Sequence, residues 1–171
     1  EILESDIKDE RIPMVSSSEQ LTLLRTLTGI DRNVGDTKSG EGQELFMTKA
    51  VRYFITALPR DLGRPNTLRF TVADTDFERV HVLLNSNVFY WWWRVFGNGF
   101  QVEQKNVDSF PLIQISSKIA KKYSTSLIAA EEHCVVFKRN AGKDIPNINY
   151  NYNQELIQKI DAEIFKALGV K

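Results

Sequence analysis

The stretch VLLNSNVFYWWWRVFGNGFQVEQKNVDSFPL, residues 82–112, carries the most specific pattern in the chain and includes all three tryptophans of the protein. Its first apolar segment is interrupted by polar residues at 85–87 and resumes as an aromatic run at 89–93. The interruption predicts a cap between two helices, and the glycines of residues 97–99 predict the end of the second helix. The apolar run at 110–115 predicts a short strand, placed near a sheet edge by Pro111.

On the N-terminal side of this stretch, the leucine spacing predicts a helix over residues 17–28, and three glycines among polar residues predict a loop over 31–43. Residues 45–58 are rich in β-formers and predict two short strands or one bent strand. Residues 67–73 alternate apolar and polar side chains and predict a further strand. A helix is expected to begin near Phe77.

On the C-terminal side, residues 117–137 have a helical period, residues 141–149 read as a loop, and 154–168 predict an amphipathic helix ended by Gly169. We therefore expect an α+β fold, a small mixed or antiparallel sheet flanked by helices with a C-terminal helical extension. We expect residues 1–115 to form the core with an acidic lead-in, and residues 116–171 to form a helical extension packed on it.

The composition is that of an ordinary globular chain: 171 residues, 42% hydrophobic, 26% charged, with a formal net charge of zero. Any nucleic-acid role must therefore come from a local basic surface. One cysteine fits a reducing compartment, the charged N-terminus lacks the apolar core of a signal peptide, and no apolar run reaches the about 20 residues of a membrane span. We expect a cytoplasmic protein without membrane contact, and a start at Glu1 suggests a piece of a longer chain.

The residues indicate no catalytic, cofactor or metal site in this chain. His81 and His133 lack Cys or carboxylate partners at metal-binding spacing, so structural or surface roles are expected. The Gly97-Asn98-Gly99 turn lacks the strand-turn-helix setting of a dinucleotide fingerprint. Ser86 lacks the flanking glycines of a nucleophile elbow.

A local basic segment lies between Lys49 and Arg69, where five cationic residues and one acidic residue leave a net charge of +4. Arginines near a turn, interleaved with aromatic residues, suit phosphate contacts and bidentate recognition of guanine edges. A solvated strand face is the alternative interpretation.

The aromatic run allows alternatives of its own. Five successive aromatic residues on a helix point in all directions, so some are expected in the core and some at an interface. One alternative function is a protein interaction or assembly domain that docks through a Trp91–Trp93 patch. Another is a carbohydrate-binding module that uses aromatic platforms.

The run LLNSNVFYWWWRVFGNGFQVEQKNVDSFPL resembles the C-terminal target-recognition region of adenine-specific DNA methyltransferases, specifically the TaqI-like specificity domains of stand-alone methylases and of type IIG restriction-modification enzymes, in which methylase and nuclease share one polypeptide. The segments before it, LFMTKAVRYFITALP and TLRFTVA, resemble the strands that precede this motif, and NYNQELIQKIDAEIFKALGV resembles the closing helix. The family's Gly-rich S-adenosylmethionine loop and Asn-Pro-Pro-Tyr type motif do not occur here. The resemblance therefore implies that the catalytic half lies elsewhere, in cis or in trans.

The resemblance implies sequence-specific recognition of double-stranded DNA, with the duplex held in register while a separate catalytic half flips the adenine. No cofactor is expected in this chain, whereas the parent enzyme would use S-adenosylmethionine. The resemblance allows a parent enzyme that only methylates adenine or one that also cleaves DNA. The candidate DNA-binding residues are Lys38 from the Gly-rich loop, Lys49, Arg52, Arg60 and Arg64 from the strand and turn, and Lys105 and Asn106 after the aromatic turn.

Overall fold

The computed structural model describes residues 2–7, 12–51, 54–140 and 142–170. In chain order these form α1 (Ser18–Thr28), β1 (Lys38–Thr48), β2 (Ala57–Leu58), β3 (Thr67–Val72), α2 (Phe77–Leu84), α3 (Asn87–Phe96), α4 (Gln104–Asp108), α5 (Ser117–Ala130), β4 (Val135–Asn140), β5 (Lys143–Ile148) and α6 (Gln154–Leu168). Short 3-10 turns occupy Glu4–Asp6, Val34–Thr37, Glu131–Cys134 and Tyr150–Tyr152. The predicted α+β class is confirmed, and the sheets are antiparallel.

The larger sheet has the strand order β2-β1-β3, with the long strand β1 in the centre. Both Lys38 and Gln43 pair with Val72, so residues 39–42 form an insertion in the ladder. Gly42 has a φ of 145°, and a Cβ there would lie 2.1 Å from the carbonyl oxygen of Val72, which leaves room only for glycine. The predicted loop over 31–43 was therefore wrong at its C-terminal end, where the chain enters β1.

Alternation along β1 separates a buried face from an outer face. Leu45 and Met47 are buried, whereas Phe46 between them is only partly buried. The inner side chains belong to the same hydrophobic core as Trp92 of α3, which meets Phe110 edge to face at a centroid distance of 5.8 Å. The aromatic helix therefore contributes to the core that the inner face of the sheet also lines, and the outer face of the sheet forms a surface.

The C-terminal part packs on the same core through α5 and α6, whose Leu127 and Ile157 belong to the hydrophobic cluster. The predicted helix over 117–137 ends earlier, at Ala130, and the predicted loop over 141–149 is largely strand β5. Val135, Val136 and Phe137 are β-branched and aromatic residues, which favour a strand over a continued helix. The extension therefore contains a β4–β5 hairpin as well as helices.

The strand predicted at 110–115 is also absent as a named element. Pro111 forms only an isolated bridge with Asn33. Leu112 and Ile113 are both buried, so the segment lacks the alternation of a half-exposed strand. The short helix α4, which was not predicted, precedes it.

Candidate functional site

The side chain of Asn85 joins the end of α2 to strand β2. Its Nδ2 donates to the carbonyl oxygens of Ala57 at 2.9 Å and His81 at 2.8 Å, and its Oδ1 accepts from the Ala57 N–H at 2.9 Å. Asn85 is buried, so these bonds are formed away from competing water. This arrangement, the Asn85 clasp, holds β2 and the turn that follows it against the core.

The two residues after Asn85 complete the junction. The Ser86 Oγ accepts from the Phe89 N–H at 3.2 Å, which caps α3, and donates to the Leu83 carbonyl at 2.7 Å. Asn87 donates through its backbone N–H and its Nδ2 to the two carboxylate oxygens of Asp161 on α6, at 3.0 and 2.8 Å. Burial raises the pKa of Asp161, while these bonds act in the opposite direction. The polar motif therefore has a structural role.

A groove, here called the arginine groove, opens on the outer face of the sheet beside the turn after β2. Arg60 and Arg64 both contribute to its wall, and threonine side chains from β1, from β3 and from the segment before β2 also line it. Its lining residues are Phe46, Thr48, Ala50, Phe54, Thr56, Leu58, Arg60, Leu62, Arg64, Thr67 and Asn147. The structure thus brings together two of the predicted site residues, and adds Asn147 from β5, which lay in the predicted loop.

Arg60 is held by an ion pair across a long sequence separation. Its Nε donates to the Glu131 Oε2 at 2.7 Å, with the Arg60 side chain 55% exposed and that of Glu131 9% exposed. The Tyr150 hydroxyl donates to the other Glu131 oxygen at 3.5 Å. Burial, followed by the Glu131 charge, raises the pKa of Tyr150 far above its ordinary value. Arg60 therefore presents its exposed part to the groove while its charge is balanced by Glu131.

Arg64 is held by carbonyl groups instead. Its Nη2 donates to the Ile145 carbonyl at 3.4 Å and to the Pro146 carbonyl, both on β5. Burial lowers the pKa of Arg64, although an arginine keeps its proton in proteins. Among the described residues no carboxylate forms an ion pair with Arg64. Its positive charge at the groove is therefore not neutralised.

Arg69 lies on the same outer face and was not among the predicted site residues. It pairs across the ladder with Phe46, and its guanidinium carbon lies 5.7 Å from the centroid of the Phe46 ring. Its Nε donates to Glu44 at 2.6 Å, and this hydrogen bond raises the pKa of Arg69. The alternation of β3 was the signal that could have placed Arg69 beside the groove residues.

Lys49 follows β1 between two groove-lining residues. Its N–H donates to the Asn66 carbonyl at 2.9 Å, and its carbonyl accepts from the Val102 N–H at 2.9 Å. The backbone at Lys49 therefore joins the turn before β3 to the segment after the aromatic helix. Arg52, the other predicted residue here, lies outside the described residues.

The remaining candidates lie around α4, and the structure does not bring them to the arginine groove. Lys38 forms an ion pair with Asp108 at 2.7 Å, and Lys105 forms one with Glu103 at 2.9 Å. Asn106 is 3% exposed, and its Oδ1 accepts from the Glu103 N–H at 2.9 Å to cap α4. Asn106 therefore stabilises a helix end and does not face solvent.

The tryptophans do not form a shared surface patch. Trp92 and Trp93 are 0% and 1% exposed, and only Trp91 is partly exposed. The Trp93 Nε1 donates to the Gln101 carbonyl at 3.0 Å, which anchors the segment after the helix. A partner that docked through this run would therefore contact Trp91 alone of the three.

His81 lies in the core, where its Nδ1 is 2.9 Å from the Ser124 Oγ. Burial lowers the pKa of His81 to about 4, so the imidazole is neutral at physiological pH.

Within the described ranges no cluster of His, Cys, Asp and Glu side chains could hold a metal ion. No helix in the same ranges has the length and apolar character to cross a membrane. Comparisons with protein-family models, curated proteins and solved structures found no match for this chain.

Proposed function

We propose that this chain is a double-stranded DNA recognition domain that holds a duplex for an adenine methyltransferase catalytic half located elsewhere. The observation that carries the proposal is Arg64, whose charge lies at the arginine groove without a carboxylate partner among the described residues. In a chain with a formal net charge of zero, such a charge at a groove favours the binding of a polyanion there.

A DNA phosphate in the groove would complete what Arg64 lacks. Arginine offers a planar fork of N–H donors that matches phosphate geometry, and two of its contacts here are only to neutral carbonyls. The Arg60 side chain is more than half exposed. It would provide a second cationic contact, with its N–H groups shared between Glu131 and the phosphate. Threonine hydroxyls in the lining can add neutral hydrogen bonds to phosphate oxygens.

The sequence resemblance of residues 82–112 to adenine methyltransferase specificity domains supports the same role. That run forms the scaffold, since the Asn85 clasp holds strand β2, which leads into the turn that carries Arg60 and Arg64. The parent enzyme would supply S-adenosylmethionine binding and base flipping in the cytoplasm. This chain would supply register and orientation on the duplex, within a restriction-modification system.

Salt dependence of DNA binding tests the proposal. The purified chain is expected to retain randomised duplex DNA at low salt, with affinity that falls as salt rises. Arg64→Ala should lower the slope of log affinity against log salt by about 0.9, the change for one lost phosphate contact. Lys166→Ala is the matched control, because it removes one exposed positive charge from the far end of α6.

Arg60 needs a paired variant, because its removal alone leaves the buried Glu131 carboxylate without its partner. Arg60→Gln combined with Glu131→Gln removes both charges and keeps hydrogen-bonding groups at both positions. We expect this pair to lower the salt slope as well. A chain that retains no duplex at low salt, or an Arg64→Ala slope equal to that of Lys166→Ala, would contradict the proposal.

A further inference from the structure

The β4–β5 hairpin is a two-stranded ribbon separate from the three-stranded sheet. Its six paired positions run from Val135↔Ile148 to Asn140↔Lys143. At about 3.3 Å per residue the ribbon is about 20 Å long. Its base is tied to the arginine groove, because Arg64 donates to the carbonyls of Ile145 and Pro146.

Exposure rises from the base of this ribbon to its tip. Asn147 and Ile148 at the base are buried, whereas Phe137 is 68% exposed and the Arg139 side chain is 79% exposed. Lys143 at the tip is also exposed. The outer half of the ribbon therefore extends from the body of the domain into solvent.

Charge and residue type on the ribbon favour a nucleic acid. Residues 135–148 contain three cationic residues and one acidic residue, a net charge of +2 in a chain that is neutral overall. The one carboxylate, on Asp144, lies 4.0 Å from Arg139, and both side chains are more than 60% exposed. A solvent-exposed pair at that distance leaves the arginine largely available for another partner.

The alternation of β4 places Phe137 and Arg139 on the same face, opposite Pro146 and Asp144 of β5. An arginine can bind a guanine edge through two hydrogen bonds, and an aromatic ring can contact a thymine methyl group. The major groove of B-DNA is about 12 Å wide and admits a two-stranded ribbon. Both the shape and the side chains of this face therefore suit that groove.

We propose that the β4–β5 hairpin enters the major groove of a DNA duplex and reads base edges with Arg139 and Phe137, while the arginine groove at its base contacts phosphates. This inference rests on the proposed DNA-binding function and assigns sequence selectivity to an element that was not predicted from the sequence. Arg64 would then bind a DNA phosphate and also hold the base of the ribbon through the carbonyls of Ile145 and Pro146.

Selection from randomised duplex DNA distinguishes recognition of base edges by the hairpin from contact with phosphates alone. The wild-type chain, Arg139→Ala, and Arg139→Ala with Phe137→Ala are each incubated with the same pool, and the retained DNA is sequenced. We expect the wild type to enrich a short motif. The Arg139 and Phe137 variants, here called the tip variants, should lose about tenfold or more of the base preference at one or more positions of that motif. Lys159→Ala with Lys166→Ala, on α6, is the charge control that should keep the motif.

A variant that makes the ribbon more positive should have the opposite effect on DNA retention. Asp144→Asn removes the one carboxylate of the ribbon, so retention of all duplexes should increase several-fold, with a steeper salt slope. Matching thermal unfolding of the tip variants and the wild type would show that the exposed substitutions leave the fold intact.

The outcomes distinguish this inference from the proposed function. If the wild type enriches a motif and the Arg139 and Phe137 variants enrich it equally, the hairpin is not the element that recognises the bases. DNA retention that is weakened by Arg64→Ala, but without any enriched motif, would overturn base reading while keeping phosphate binding. A wild type that retains no DNA would overturn both.

Discussion

Replacing Asn85 with alanine tests whether the clasp stabilises the fold and places the arginine groove. The substitution removes three hydrogen bonds and leaves the N–H and C=O of Ala57 without that partner in a buried position. An orphaned buried polar group costs roughly 1–3 kcal/mol. We therefore expect the free energy of unfolding to fall by about 4 kcal/mol, a large share of the 5–15 kcal/mol typical of a domain.

Urea denaturation followed by tryptophan fluorescence measures this loss, and DNA retention under folding conditions measures its effect on the groove. The matched control is Asn87→Ala, which removes the side-chain bond from Nδ2 to Asp161 at an exposed position and keeps the backbone N–H bond. That control should lower stability by about 1 kcal/mol and leave DNA retention unchanged. A loss below about 1 kcal/mol for Asn85→Ala would refute the energetic reasoning, because it would mean that water or a rearranged chain satisfies Ala57.

Asn85→Asp adds a pH test of the same geometry. The carboxylate could accept from the Ala57 N–H, but it would face the carbonyl oxygens of Ala57 and His81, to which the amide donates. Burial and these carbonyls would raise its folded-state pKa above the unfolded value. The folded state would then bind the proton more tightly, so stability of this variant should increase as pH falls. A stability that is independent of pH between about 7 and 5 would exclude this contact geometry.

Three further perturbations test other parts of the fold. The hydrogen bonds from Arg25 lower the pKa of Asp6 to about 2. This pair therefore stabilises the fold at pH values above the ordinary aspartate pKa, and its contribution is lost as pH falls through about 2. Asp6→Asn should remove this part of the pH dependence of the urea midpoint. Gly42→Ala should destabilise the sheet by more than about 2 kcal/mol, because the new methyl group would meet the Val72 carbonyl; calorimetry would show a lowered melting temperature. Trp92→Ala should cost about 3–5 kcal/mol in urea denaturation, since the side chain is fully buried.

Local signals predicted much of this fold. The Asn-Ser-Asn interruption marked the boundary between α2 and α3, because a serine oxygen satisfies a free N–H at a helix start. The amphipathic period predicted α6, and Gly169 ends it with a φ of 68°. Such features depend on residues a few positions apart, so sequence alone reveals them.

The missed elements divide into two kinds. The β4–β5 hairpin could have been predicted from the sequence, because the β-branched Val135 and Val136 favour a strand and a glycine, Gly142, allows the positive φ of 80° found at the turn. The role of Asn106 was readable too, from its capping spacing with Glu103. By contrast, Arg60 and Glu131 are 71 residues apart, and no local pattern indicates that they meet.

The position of uncompensated charge depends on such long-range meetings. By sequence, Lys38, Arg60 and Arg64 are equivalent candidates. After folding, Lys38 is paired with Asp108 and Arg60 with Glu131, whereas Arg64 donates to carbonyl groups and has no carboxylate partner in the part of the chain that the structure describes. An ion pair cancels most of the field that a distant phosphate would feel, while a carbonyl partner leaves the unit charge in place. Under the proposed function, a duplex phosphate would bind where this charge lies, and the Asn85 clasp, by holding β2, helps to position the turn that carries Arg64.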